Sequence, residues 1–186
     1  MAAPRILIIA CALGFVSSCG NRPYASKSVS FEDESWYQDS VISLNVTIED
    51  TTVYYQFRYQ IRHSNDYPYQ NLYLFQTVQS EGMDPFNDIL NLPLAENNGK
   101  WLGKGIGSLK TVDTSYFLKQ HSTSFRRIDV AEDYWHCPKL ENGKNEIRFF
   151  KFKKPGSYTF TIQQGMRNEP LIGISDFVFS IEDTLQ

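Results

Sequence analysis

The side chains best suited to metal binding or nucleophilic catalysis are few: His63, His121 and His136, with Cys11, Cys19 and Cys137. Zinc sites recur as C-x-x-C or H-x-x-x-H spacings that gather ligands on one small surface. Here His136 merely adjoins Cys137, and His63 and His121 stand apart. No serine sits in a G-x-S-x-G elbow. Two acid pairs, Asp84 with Asp88 and Glu132 with Asp133, have the composition of a glycosidase site, where one carboxyl protonates the leaving oxygen and a second attacks or activates water. Two acids in a loop are ordinarily solvated, and these are read so. Gly103-x-Gly105-x-Gly107 has phosphate-loop glycines, but no Lys-Ser/Thr ending and no helical pattern follows, so it reads as a glycine-rich crossing between strands. No catalytic residue, metal ligand set or cofactor motif emerges, and the expectation is a protein that is not an enzyme.

Binding chemistry is better represented. Arg148, Lys151, Lys153 and Lys154 interleave with Phe149, Phe150 and Phe152, a mixture that can serve single-stranded nucleic acid. The chain as a whole has formal charge −3 and a pI of about 5.6, so it has no global field for polyanions. These cations read instead as the wet face of a strand, where they blunt an edge. Tyr54, Tyr67, Tyr69 and Tyr73 form an aromatic set suited to stacking on sugars. Asn45-Val46-Thr47 has the form of an N-glycosylation sequon. Asp39-Ser40-Val41, Asp50-Thr51-Thr52 and Asp183-Thr184-Leu185 have the acid-hydroxyl-apolar form of O-glycosylation sites in some envelope bacteria, which makes Ser40, Thr51 and Thr184 candidate acceptors.

The elements that would hold these residues follow an address. Arg5 and the terminal amine form a short positive region, and Ile6 to Val16 is an apolar run of signal-peptide length, far short of the roughly twenty residues that span a bilayer. Val16-Ser17-Ser18-Cys19 then places small residues before a cysteine, the pattern of a lipobox whose thiol takes the diacylglycerol. Ile8-Ile9-Ala10-Cys11 also fits, but leaves too short an apolar core. Residues 1–18 are therefore a lipoprotein signal peptide, Cys19 the lipidation site, and residues 19–28 a polar tether. Two or three acyl chains give stable anchoring where one would not. Arg22 and Lys27, with no acid in the tether, favour the periplasmic face. Cys11 leaves with the signal, so Cys137 has no intramolecular partner and reads as a buried small hydrophobe.

From Val29 onward the dominant period is two. Ile42, Leu44, Val46 and Ile48 alternate with Ser43, Asn45 and Thr47, and Val53 to Ile61 repeats the pattern. Asn71 to Val78, Asp88 to Leu92, Lys100 to Leu102, Glu146 to Phe152, Tyr158 to Ile162 and Ile172 to Ile181 supply further strands; Phe86 to Leu90 and Thr114 to Lys119 allow at most short helical turns. The chain has 186 residues, 41% hydrophobic and 15% aromatic, which is ample for one core. The fold class is all-β: an antiparallel two-sheet β-sandwich, immunoglobulin-like or jelly-roll-like, over residues 29–186, with an irregular excursion at about 110–144.

Three blocks carry a resemblance. The first is Arg62-His63-x-x-x-Tyr67-Pro68-Tyr69-x-Asn71-Leu72-x-Leu74-Phe75. The second is Leu94-Ala95-Glu96-Asn97-Asn98-Gly99-Lys100-Trp101-Leu102-Gly103-x-Gly105-x-Gly107. The third is Gly156-x-Tyr158-x-Phe160-x-Ile162-x-Gln164-x-Met166-Arg167, then Leu171-x-Gly173-Ile174. With Trp36, Asp39 and the lipobox, these resemble the gliding-motility lipoprotein GldH family of Bacteroidetes. The resemblance implies a non-enzymatic envelope lipoprotein, a structural or docking component of the gliding apparatus, functionally linked to the machinery that moves and secretes surface adhesins. Its partners would be the membrane, through the lipid, and other envelope proteins. Lys110 to Lys144 is longer than the family pattern, and Phe177-Val178-Phe179-Ser180 lacks the glycine expected there.

Physically the blocks are structural first. Pro68 presets a turn, Asn71 can bond neighbouring backbone, and Trp101 is expected to plug one end of the sandwich. Arg62 and Arg167 are expected under loops. The candidate partner surface is Tyr67, Pro68, Tyr69, Asn71 and Trp101. The rival reading is a glycan-binding module on the same fold, an envelope lipoprotein whose tyrosines and Trp101 stack on sugar.

Overall fold

The computed structural model describes residues 23–115, 135–136 and 151–183. Among the described residues twelve strands follow in order: β1 Ala25–Ser30, β2 Ser35–Trp36, β3 Ile42–Ile48, β4 Tyr55–His63, β5 Asn71–Ser80, β6 Phe86–Pro93, β7 Lys110–Ser115, β8 Trp135–His136, β9 Lys151–Phe152, β10 Gly156–Gln164, β11 Leu171–Ile172 and β12 Ile174–Asp183. One 3-10 turn, Glu32–Glu34, lies between β1 and β2. Eight long strands make two four-stranded sheets, ordered β1-β12-β4-β7 and β3-β10-β5-β6, and β2 with β11 and β8 with β9 form two short ribbons.

The pairing decides between the two sandwich types. Among the eight long strands the first pairs with the last, β3 with β10, β4 with β7, and β5 with β6, all antiparallel. These nested pairs alternate between the sheets, which is the jelly-roll order.

Period two in the sequence becomes burial in the fold. On β3, Ile42, Leu44, Val46 and Ile48 are buried and the residues between them exposed. On β4, Tyr55, Phe57, Tyr59 and Ile61 face inward. The aromatic excess fills the gap between sheets. Phe57 of the first sheet meets Phe160 of the second edge to face, with centroids 5.3 Å apart, and Phe160 meets Phe179 at 5.5 Å. Losing one such ring to alanine costs about 3–5 kcal/mol. The Tyr59 hydroxyl donates across the core to Gln76 Oε1 at 2.5 Å.

Several sequence expectations are corrected. The tether ends earlier than Ser28, because Ala25–Ser30 is an edge strand paired with β12. Its serines and Lys27 hide it, since a backbone ladder needs no apolar side chain and only one face of an edge strand touches the core. Phe86–Pro93 is one strand with no helical turn, and 110–115 is strand where a turn from Thr114 was expected. Trp101 makes a single bridge to Ala95 in place of a strand over 100–102. Most of the 110–144 excursion, with Glu132, Asp133, His121 and Cys137, lies outside the described residues, as do Cys19, Thr184, Arg148, Phe149 and Phe150.

Candidate functional site

The three sequence blocks meet at one end of the sandwich. Strand β4 ends at His63 and β5 begins at Asn71, so the turn between them sits on the rim. The second block, after β6, folds over that rim: the Leu94 and Ala95 N–H groups both donate to the Gln70 carbonyl, at 2.8 and 2.9 Å, and Leu102 N–H donates to Leu94 O at 2.9 Å. The resulting small hairpin sets the Trp101 indole against His63, 4.5 Å between centroids at 57°. The third block arrives from β11. Ser64 N–H donates to Gly173 O at 2.9 Å. Gly173 has φ +84, and a Cβ on it would lie 2.5 Å from the Tyr67 nitrogen, so only glycine lets the blocks close this tightly.

At the centre is His63, fully buried. Its Nδ1 lies 3.0 Å from the Ser64 carbonyl, which only an N–H can satisfy, so the neutral ring carries its proton there. Nε2 is then a lone pair with no hydrogen-bond partner, and Ser64 Oγ is likewise unpartnered. Burial pulls the His63 pKa down from 6.5; the Ser64 carbonyl opposes this and Lys110, opposite on β7, adds to it. The cluster is thus neutral at ordinary pH. Tyr67 packs on His63 at 5.9 Å and on Tyr69 at 5.8 Å, and donates its hydroxyl to Asn71 O at 2.8 Å. Desolvation pushes its pKa well up, so the phenol stays protonated.

The five residues expected to form a contact surface therefore separate. Pro68 is exposed and Tyr69, Asn71 and Trp101 half-exposed. Tyr67 is 2% exposed and is corrected from surface to brace, because its ring fills the space beneath the turn. Leu102, next to Trp101, is exposed without having been expected there, and Tyr37, after β2, is exposed too. Arg62 is on the outer face of β4, 3.8 Å from Asp176, not beneath a loop. Among the described residues no three of His, Cys, Asp and Glu gather in metal-holding geometry. Of the proposed glycosylation sites, Ser40 is exposed and Thr51 half-exposed.

The opposite end is closed by Tyr24. Its hydroxyl donates to Thr47 O at 2.7 Å and its ring packs on Tyr55 at 5.2 Å. Tyr55 and His63 are the two ends of one strand, about 26 Å apart at 3.3 Å per residue.

The sequence pattern described as GldH lipoprotein matches residues 24–127. A protein named gliding motility lipoprotein GldH homolog, from Christiangramia forsetii, is 27% identical over 173 residues, covering 89% of this chain and 87% of its own. The gliding motility lipoprotein GldH of Flavobacterium johnsoniae is 26% identical over 155 residues, covering 80% of this chain and 77% of its own. No solved structure matches.

Proposed function

The chain belongs to the GldH lipoprotein family, and from that premise we propose that it is a gliding-motility lipoprotein of the cell envelope, without catalytic activity, that docks components of the motility and secretion machinery. The domain is held by acyl chains on Cys19 and faces the periplasm.

The observation that carries this reading is the polarity of the sandwich. Cys19 precedes Pro23 by four residues, which reach at most about 14 Å, and Tyr24 is fastened to Thr47. The lipid then holds the Tyr24 end at the membrane and the Trp101 end away from it. The three family blocks all meet at that far rim, with Tyr69, Trp101 and Leu102 accessible around a buried, neutral brace. A rigid rim with half-exposed aromatics is suited to protein contact, since aromatic residues dominate the energetics of such interfaces.

Deletion tests the role: spreading, adhesin export and envelope assembly that all survive loss of the protein would end it. Radiolabelled palmitate should enter the wild type and not Cys19→Ser. Crosslinking in living cells should recover envelope proteins from the wild type and lose them with the Tyr69→Ala, Trp101→Ala pair.

A further inference from the structure

The outer faces of the two sheets differ in chemistry. On the first, Arg58 pairs with Asp113 and Glu182, and Arg62 with Asp176. On the second, the outward residues run from Ser43 to Thr47 on β3, Asn71 to Gln79 on β5, Asn87 to Pro93 on β6 and Ser157 to Gln163 on β10. None of these sixteen is Asp, Glu, Lys or Arg. A soluble surface carries roughly 25–35% charged residues, so about four to six would be expected.

Hydroxyls and amides stand in their place, held in cross-strand pairs. Thr77 Oγ1 donates to Asn87 Oδ1 at 2.7 Å, and Thr159 Oγ1 to Asn45 Oδ1 at 2.9 Å. Each pair fixes an asparagine amide while leaving its N–H groups to an outside acceptor. Through this array run two rings, Tyr73 and Phe75, 40% and 46% exposed. They are two residues apart on one face of β5, about 6.6 Å. Phe75 lies between Ile89 and Gln163 in register. Its ring rests on Gly165, where a Cβ would come within 3.2 Å of two ring atoms, so glycine allows the ring to settle on the sheet.

We propose that this face binds a neutral glycan. Pyranose rings offer C–H faces that stack on aromatic rings and hydroxyls that both donate and accept, and this face supplies both in fixed positions. An acidic polymer would find no countercharge. A protein partner fits less well, because interface cores are enriched in aromatics, Met and Arg and depleted in Ser, whereas most positions here are Ser, Thr, Asn or Gln and none is Met or Arg. Asn71 belongs both to this face and to the Trp101 rim, but Tyr73, Phe75 and Thr77 do not, so this site stands or falls independently of the docking role.

The test uses the full-length lipidated protein in a detergent without a sugar headgroup, screened on an array of neutral and acidic oligosaccharides and titrated with its best neutral hit. Neutral ligands should bind and acidic ones be at least about tenfold weaker; Tyr73→Ala and Phe75→Ala should each weaken binding by about tenfold or more. Thr77→Lys should do the same, while Trp101→Ala should leave it unchanged. Equal melting temperatures exclude misfolding for the variants compared. The proposal is overturned if no neutral glycan binds, if acidic ones bind as well, or if the Tyr73, Phe75 and Thr77 variants bind normally. It is also overturned if Phe75→Ala instead abolishes self-association of the protein, which would give the face to a second copy.

Discussion

The Trp101 indole covers a histidine that is fully buried and hydrogen-bonded on one side only: the centroids of Trp101 and His63 are 4.5 Å apart, and His63 Nε2 has no partner. A half-exposed ring from one sequence block thus packs over a buried histidine from another.

Stability should follow the protonation of His63. The unfolded ring takes a proton near pH 6.5, and the folded ring only below that, since burial lowers its pKa. The unfolded state therefore binds more protons in this window, and stability, complete above about pH 6.5, should fall as the pH drops below it. Urea unfolding at pH 7, 6 and 5 should show the decline in the wild type and a flatter profile in His63→Phe. Trp101→Ala, by admitting water to Nε2, should raise the His63 pKa toward 6.5 in an NMR titration. An unmoved titration would mean the indole does not shield the ring.

Two glycines separate backbone strain from crowding. Gly82 and Gly173 both have positive φ, +69 and +84, but a Cβ on Gly82 meets nothing within 4 Å whereas one on Gly173 strikes the Tyr67 backbone at 2.5 and 2.7 Å. Gly82→Ala should cost about 1 kcal/mol from the left-handed backbone alone. Gly173→Ala should cost roughly 3 kcal/mol or more, adding overpacking. Similar losses in chemical denaturation would show that the rim gives way at little cost.

The bond across the core is expected to be asymmetric. Tyr59 donates to Gln76 Oε1, and Gln76 Nε2 has no partner. Tyr59→Phe removes a donor and leaves the buried amide less satisfied, so it should destabilise by about 1–3 kcal/mol. Adding Gln76→Leu should restore much of that loss, which a double-mutant cycle would read. A double variant as unstable as the sum of the singles would count against the pairing.

The ion pairs on the first sheet should matter little. Arg58 donates from Nε to Asp113 at 2.8 Å and from Nη1 to Glu182 at 2.9 Å. These contacts hold the Asp113 carboxyl below its ordinary pKa and raise that of Arg58. All three groups are about one-third exposed, so Arg58→Met should cost about 1 kcal/mol or less at low salt. At 1 M salt, where the screening length is about 3 Å, the difference from wild type should shrink; persistence of the full difference would point to packing of the Arg58 stem.

Alternation along β3, β4 and β10 was enough to foretell two antiparallel faces and a single aromatic core, because period two is a local property that any neighbour must respect. Trp101 as an end plug was legible too, since a large ring in a glycine-rich crossing has few places to go. Strand β1 was not legible: its ladder to β12 is made by backbone groups, which leave no mark on side-chain pattern. Nor was the inward turn of Tyr67, which depends on Gly173, more than a hundred residues away along the chain.

Sequence by itself determined the family and the all-strand class of this protein, and it brought forward the three blocks. Tertiary structure alone decided the jelly-roll order, the meeting of those blocks at the rim opposite Tyr24, and the uncharged outer face built from β3, β5, β6 and β10. The reason is one of range. Which face a residue takes is settled by its immediate neighbours, but which strands lie side by side is settled by packing between distant segments. A surface assembled across four strands exists only once their register is set.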